Sequence, residues 1–246
     1  DRVGLDLPYG QDHVISALAN ANKNLVVINI SGNAVAMPWI AEVPSVLQAW
    51  FLGSEAGSSI AAILMGDVNP SGRLPFTFPA RLEDVPAHSV GEYFADRSKK
   101  VVDMKYNEGI FVGYRWTDKQ KKVKPLFPFG YGLSYTTFVY SRPIADKKII
   151  SVNDEINFTV TVKNTGEREG HEVVQLYISD KKSSLPRPVK ELKGFKKVKL
   201  ALGEEKDVTF TIDKEALSYF DDIQHTWVAE PGKFEAIIAA SAADIK

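Results

Sequence analysis

The segment YNEGIFVGYRW, Tyr106 to Trp116, sets one carboxylate, Glu108, between Asn107 and Gly109 in aromatic surroundings. A lone acid among aromatic rings is a candidate general acid, because a water-poor environment helps it hold a proton near neutral pH. The same residues also suit a structural role. Gly109 permits a backbone turn closed to other residues. Arg115 lies seven positions on and can neutralise the carboxylate. A buried carboxylate without a partner is costly, so a partner is nearly obligatory. The spacing favours a structural or supporting role for Glu108 over direct catalysis.

Other chemistries have less to stand on. His13, His88, His171 and His225 are scattered, with no pair at metal-ligand spacing. There is no cysteine, which excludes disulfides, thiolate metal sites and a cysteine nucleophile within this chain. No GxSxG elbow is present for a serine nucleophile. Two loops follow apolar strand-like runs, ISGNAVAMPW and WFLGSEAGSS, and such loops are where α/β sheets bind ligands. The second opens a helix whose free amides suit an anion, but GSEAGSS lacks the lysine of a phosphate-cradling loop. Asn29-Ile30-Ser31 and Asn157-Phe158-Thr159 fit the glycosylation pattern, yet both fall in or beside strand-like runs.

The elements that position these residues fall into two rhythms. GQDHVISALANANK places Val14, Ile15, Leu18 and Ala19 on one helical face. LVVINI, from Leu25 to Ile30, reads as a strand buried on both faces of a parallel sheet. VLQAWF reads as the next strand, and SEAGSSIAAILMG as a helix with Ser54 at its N-cap and Gly66 past its end. This order predicts an α/β layer with too few strands for a full sheet. NPSGRLPFTFP is a loop, residues 80 to 105 are a polar surface excursion, and PLFPFGYGLSY is a rigid connector. After Thr136 the period becomes two, with INFTVTVKN, EVVQLYISD, KDVTFTID and KFEAIIAAS separated by NTGEREG, ALGEE and EPGK. About seven short strands in this span predict an immunoglobulin-like or fibronectin-type sandwich.

The 246 residues carry 30 basic and 31 acidic side chains, and 44% are hydrophobic. That balance supports a sizeable core and gives no concentrated basic surface for nucleic acid or anionic membrane. KGFKKVKL, the densest basic run, alternates with apolar residues and reads as a solvated strand face. No apolar run is long enough for a membrane span. The chain opens on DRVGLDLPYG without methionine, which suggests a piece cut from a longer protein.

Taken in order, DR…LDLPYGQ, the span from NLVVINISGN to RLPFTFP, YNEGIFVGYRW, PLFPFGYGLSYTTF, GHEVVQLYISD with RPVKELKGFKKV, and WVAEPGKFE cover nearly the whole chain. In this order they resemble the C-terminal portion of a glycoside hydrolase family 3 enzyme of the β-glucosidase type. The resemblance implies α/β plus all-β architecture. Residues 1–97 would end an α/β sandwich domain, 98–135 would connect, and 136–246 would form a fibronectin type III-like domain. It implies a barrel ahead of this chain that carries the nucleophilic aspartate. It also implies a Glu-Gly-x-Asp-Arg motif whose last two positions are Asp1 and Arg2, so the acid/base glutamate would lie three residues before Asp1. Neither catalytic carboxylate would then be in this chain. Asp1, Arg2, Tyr106, Glu108 and Arg115 would belong to the active-site wall or its support, with Glu108 braced by Arg115 or Arg2.

The implied activity is removal of terminal β-glucose from oligosaccharides or glucosides, with no cofactor and no metal. The expected partners are a carbohydrate substrate and the barrel of the same protein. A periplasmic or secreted location is expected ahead of a cytoplasmic one. Xylose, arabinose or N-acetylglucosamine as the sugar, and a non-catalytic carbohydrate-binding or scaffold module, stay open as alternatives.

Overall fold

The computed structural model describes residues 4–91 and 104–246. They group into two compact units, one built from residues 4–68, 77–91, 104–108 and 122–127, the other from 69–76, 109–121 and 128–246.

In the first unit, helix α1 (Gln11–Ala21) precedes strand β1 (Val26–Asn29), which pairs in parallel with β2 (Ser45–Gln48), Val26 opposite Ser45 and Asn29 opposite Gln48. A parallel neighbour requires a crossover rather than a hairpin, and the ISGNAVAMPW segment lies in it. Val35 and Trp39 of that segment are buried, and the Trp39 indole donates to Asp12 Oδ1 of α1 at 2.7 Å. A 3-10 turn at Gly53–Glu55 leads into helix α2 (Ala56–Met65). Gly66, at φ 80°, closes that helix as its sequence predicts.

Three local expectations are corrected. Ser54 caps nothing: Glu55 occupies the cap position of α2, where its carboxylate accepts a 2.7 Å bond from Ser58 Oγ. The apolar face of α1 buries only Ala19, while Val14 and Leu18 are exposed. Strand β1 is not buried on both faces, since Val26 is exposed and only Asn29 is buried. The last two have one cause: a two-stranded ribbon offers too little surface to cover what an apolar helix and strand present. The short helix α3 (Pro86–Ser89) completes this unit, together with a bridge between Phe78 and Phe127 onto which Trp50 packs edge-on at 5.9 Å.

The first helix of the second unit is α4 (Tyr114–Lys119), and the rest is chiefly a β-sandwich. Its strands are β3 (Phe138–Tyr140), β4 (Ile144–Ala145), β5 (Ile156–Asn164), β6 (Gly170–Asp180), β7 (Glu191–Leu200) and β8 (Glu205–Ile212). The one-turn helix α5 (Lys214–Leu217), the hairpin β9 (Tyr219–Asp221) and β10 (Thr226–Val228), and β11 (Phe234–Ala239) follow. In one sheet β5 pairs with β8 along one edge and with β3 and β4 along the other. In the second sheet β6 lies between β11 and β7, all antiparallel.

The alternation read from the sequence builds the core. Val160 and Val162 of β5 and Val208, Phe210 and Ile212 of β8 meet Val174, Leu176 and Ile178 of β6, with Leu200 and Ile238. Strand β6 departs from simple alternation, because its outer face is covered as well. Tyr177 packs there with Ala239 and Ala242 under Tyr114, Phe129, Leu192 and Ile237. The NTGEREG turn is held by fully buried Asn164, whose amide donates to Leu200 O at 3.1 Å and Arg168 O at 2.7 Å and accepts from Thr136 Oγ1.

Candidate functional site

Glu108 sits in a turn over residues 107–110 and is 8% exposed. The turn needs Gly109, whose φ of 57° puts it in the left-handed region that residues with a Cβ avoid. Asn107 anchors it by donating to Val90 O at 3.0 Å. Tyr106, two residues before the acid, points to solvent at 75% exposure. Among the described residues, Glu108 Oε2 accepts no hydrogen bond. A buried acceptor without a donor is costly, so this oxygen marks the turn as the place where a partner group is called for.

Arg115 has a partner within the second unit. The guanidinium that the spacing set against Glu108 stands on α4 and pairs with Glu191 of β7 at 3.5 Å. A separation of seven along the chain says nothing about direction once a helix begins between the two residues. Asp1 and Arg2 lie outside the described residues.

The carboxylate of Glu191 belongs to a charge network that sequence reasoning missed. Arg187 donates to Glu191 Oε2 at 2.6 Å, to Asp180 Oδ2 at 3.1 Å and to Leu217 O at 3.0 Å, with its guanidinium over the Tyr219 ring. Lys190 pairs with Asp118 of α4 at 2.5 Å. Tyr114 accepts from Leu192 N at 2.9 Å while its ring packs on Phe129 and Tyr177. The GYRW and RPVKEL segments therefore meet on the outer face of the β6–β7 sheet. Burial holds the Lys193 ammonium below its usual value, with Glu191 working against that shift. Burial also pushes the Tyr177 phenol up. The available signal was the density of charge in RPVKELK beside an apolar strand, which reads as solvated until α4 covers it.

The first unit holds an open cleft of about 570 Å³ beside Gly4, Leu5 and Asp6. Met37, Arg81 and Leu126 also line it. Arg81 is paired with Asp84 at 2.9 Å. Met37 lies in the ISGNAVAMPW loop that the sequence marks as a ligand-binding candidate, whereas Arg81 did not stand out. The histidines stay apart in different elements, and no group of three or more metal-ligating side chains forms among the described residues. No helix among them is long and apolar enough to cross a membrane.

Comparison with known proteins gives this geometry a context. The glycosyl hydrolase family 3 C-terminal domain matches residues 1–114, and the fibronectin type III-like domain matches residues 172–242. The beta-glucosidase BoGH3A of Bacteroides ovatus is 54% identical over the whole chain, and the thermostable beta-glucosidase B of Acetivibrio thermocellus is 47% identical. The chain spans 32% of the length of each. Among solved structures, the beta-glucosidase of Kluyveromyces marxianus superposes with a TM-score of 0.90 at 40% identity, over all of this chain and 28% of that one. These matches agree with the α/β-then-sandwich order. The chain belongs to glycosyl hydrolase family 3, of which it carries the C-terminal domain and the fibronectin type III-like domain.

Proposed function

We propose that this chain is the C-terminal part of an exo-acting retaining β-glycosidase that removes terminal β-D-glucosyl residues from oligosaccharides or glucosides. The observation that carries the reading is 54% identity, over the full chain, to a protein described as a beta-glucosidase. In this reading residues 1–97 end the α/β domain, 98–135 connect, and 136–246 form the fibronectin type III-like domain. A barrel of the same protein and a carbohydrate are the partners, and no cofactor takes part.

Retaining glycosidases set two carboxyl groups about 5–5.5 Å apart across the scissile bond. One attacks the anomeric carbon, while the other protonates the leaving oxygen and then deprotonates the water that releases the sugar. Both belong to the longer protein in this reading, and the chain supplies the wall around them. Asp1 and Arg2 end the acid/base motif. Glu108 positions that wall: its buried turn, held by Gly109 and Asn107, presents Oε2 as an acceptor for a donor outside the described residues. Tyr106 stands at the exposed lip, and Arg115 steadies α4 through Glu191.

Two measurements test this. The isolated 246-residue chain is expected to show no turnover of an aryl β-glucoside, and the full-length protein to hydrolyse it. In the full-length protein, Glu108→Gln lowers activity toward cellobiose and toward an activated aryl glucoside to a similar extent. A severe defect on cellobiose with a slight one on the aryl glucoside is the mark of a lost general acid, and that pattern would sink the positioning role.

A further inference from the structure

The β9–β10 hairpin is fixed to the sandwich by one face only. On that face Tyr219 donates to Glu230 Oε1 at 2.9 Å and lies under the Arg187 guanidinium. Its turn is closed by Asp221, which accepts from the Ile223 and Gln224 amides at 2.9 Å. On the other face Trp227 stands opposite Phe220, with ring centroids 5.7 Å apart at 69°. Trp227 is 64% exposed and Phe220 49%. The pair is thus held edge to face across the hairpin, with most of the indole surface left to solvent.

Trp227 also forms a wall of an open cleft of about 600 Å³. That is within the size range of small-molecule sites. The rest of the cleft comes from the residues before β5 and from α5. Two of its four carboxylates are already engaged, Asp154 by the Ser151 amide and Asp213 by the Ala216 amide at the start of α5. Ser218 is engaged as well, donating to Lys214 O at 2.7 Å, which leaves Asn153, Glu155, Lys214 and Glu215, a mixed set of donors and acceptors. An aromatic plate beside mixed donors and acceptors matches one ligand class closely. A pyranose presents a flat C–H face for the ring and a rim of hydroxyls, each of which both donates and accepts. A cation is a poorer match, because half of the carboxylates are committed and an ammonium stands among the rest.

We propose that the cleft beside Trp227 is an ancillary carbohydrate-binding site, which stacks a glucosyl unit of a β-linked oligosaccharide on the indole. It involves neither Glu108 nor the wall assigned above. The choice of glucose rests on the proposed substrate class, while the site itself rests on the cleft and the ring.

The test is tryptophan fluorescence of the 246-residue chain titrated with cellotetraose. Of the four tryptophans Trp39 and Trp116 are buried and Trp50 is half-buried, so the signal is assigned to Trp227 by its loss in the Trp227→Ala protein. Saturable quenching is expected. Trp227→Ala should weaken binding at least about tenfold, the scale of losing a buried aromatic anchor, as read by calorimetry. Lys214→Met, at an exposed rim position that cannot unfold the sandwich, should weaken it severalfold with an unchanged melting temperature. Absence of quenching, binding that survives both substitutions, or quenching by oligolysine but not by cellotetraose overturns the proposal. Quenching by xylotetraose alone overturns the glucosyl assignment. Aryl-glucoside turnover by the full-length Trp227→Ala protein is expected at the wild-type rate, so failure of this site and failure of the proposed activity are read separately.

Discussion

Replacing Arg73 by methionine keeps most of the side-chain volume and removes one charge from a buried pair. Arg73 donates to Glu172 Oε2 at 3.0 Å, and the two side chains are 9% and 6% exposed. At that distance, with an effective dielectric constant near 20, their attraction is about 5–6 kcal/mol before desolvation is charged against it. Among the described residues Glu172 also accepts from the Val173 amide at Oε1, 3.1 Å, and stands near the Tyr140 phenol, and neither neutral group can offset a full charge. The expected cost of Arg73→Met is therefore about 3–5 kcal/mol, the range for stranding one member of a buried pair. In a unit of this size that lowers the melting temperature by roughly 10–20 °C. Urea unfolding followed by circular dichroism measures it. The double variant Arg73→Met/Glu172→Gln should recover most of the loss, because no buried charge is left over. Little dependence on salt is expected, since screening acts weakly on shielded pairs. A loss below about 1 kcal/mol, the level of a surface pair, would refute the reasoning. So would a double variant no more stable than the single one.

Glycine substitutions should separate strain from collision. Gly203 and Gly130 both have positive φ, but a Cβ at Gly203 meets nothing, while one at Gly130 overlaps the Gln175 amide. That amide is locked between Ala240 O and the Tyr177 hydroxyl, so it cannot yield. Gly203→Ala should cost about 1–2 kcal/mol, and Gly130→Ala clearly more in the same melt. At high pH the sandwich should weaken from about pH 10 upward, where unfolded tyrosines ionise. Burial, then the Glu172 carboxylate, pushes the Tyr140 phenol up, and burial does the same for Tyr177, so the folded state keeps protons that the unfolded state loses. Tyr140→Phe should flatten that alkaline decline, as measured by urea midpoints across the pH range. Trp39→Phe removes the donor to Asp12 and should cost about 1–3 kcal/mol in hydrogen-exchange protection of α1.

The sequence by itself determined the family, the strands of the sandwich and the turn at Glu108. Each rests on a local signal. INFTVTVKN alternates with period two because one face of β5 meets the core, and its ends fall at Ile156 and Asn164. Gly66 and Gly109 hold positive φ where the chain needs it. The family resemblance, read from segments such as YNEG and RPVKELKGF, agrees with relatives 47–54% identical over the chain. What the sequence left out are relations between distant residues of one unit. The spacing of Glu108 and Arg115 suggested a pair, but α4 carries Arg115 to Glu191, which lies 76 positions further along. Asn69–Phe76 reads as a loop, yet it is tied to the sandwich by Asn69 to Glu169 O, by Leu74 to Tyr131 O, and by Arg73 to Glu172. Strand β6 reads as half-buried, and only the covering of Tyr177 by Tyr114 and Phe129 makes it an inner strand. The physical reason is common to all three. Backbone periodicity and turn chemistry are properties of adjacent residues, whereas a charge pair or a covered face exists only once segments far apart in the chain have been packed together.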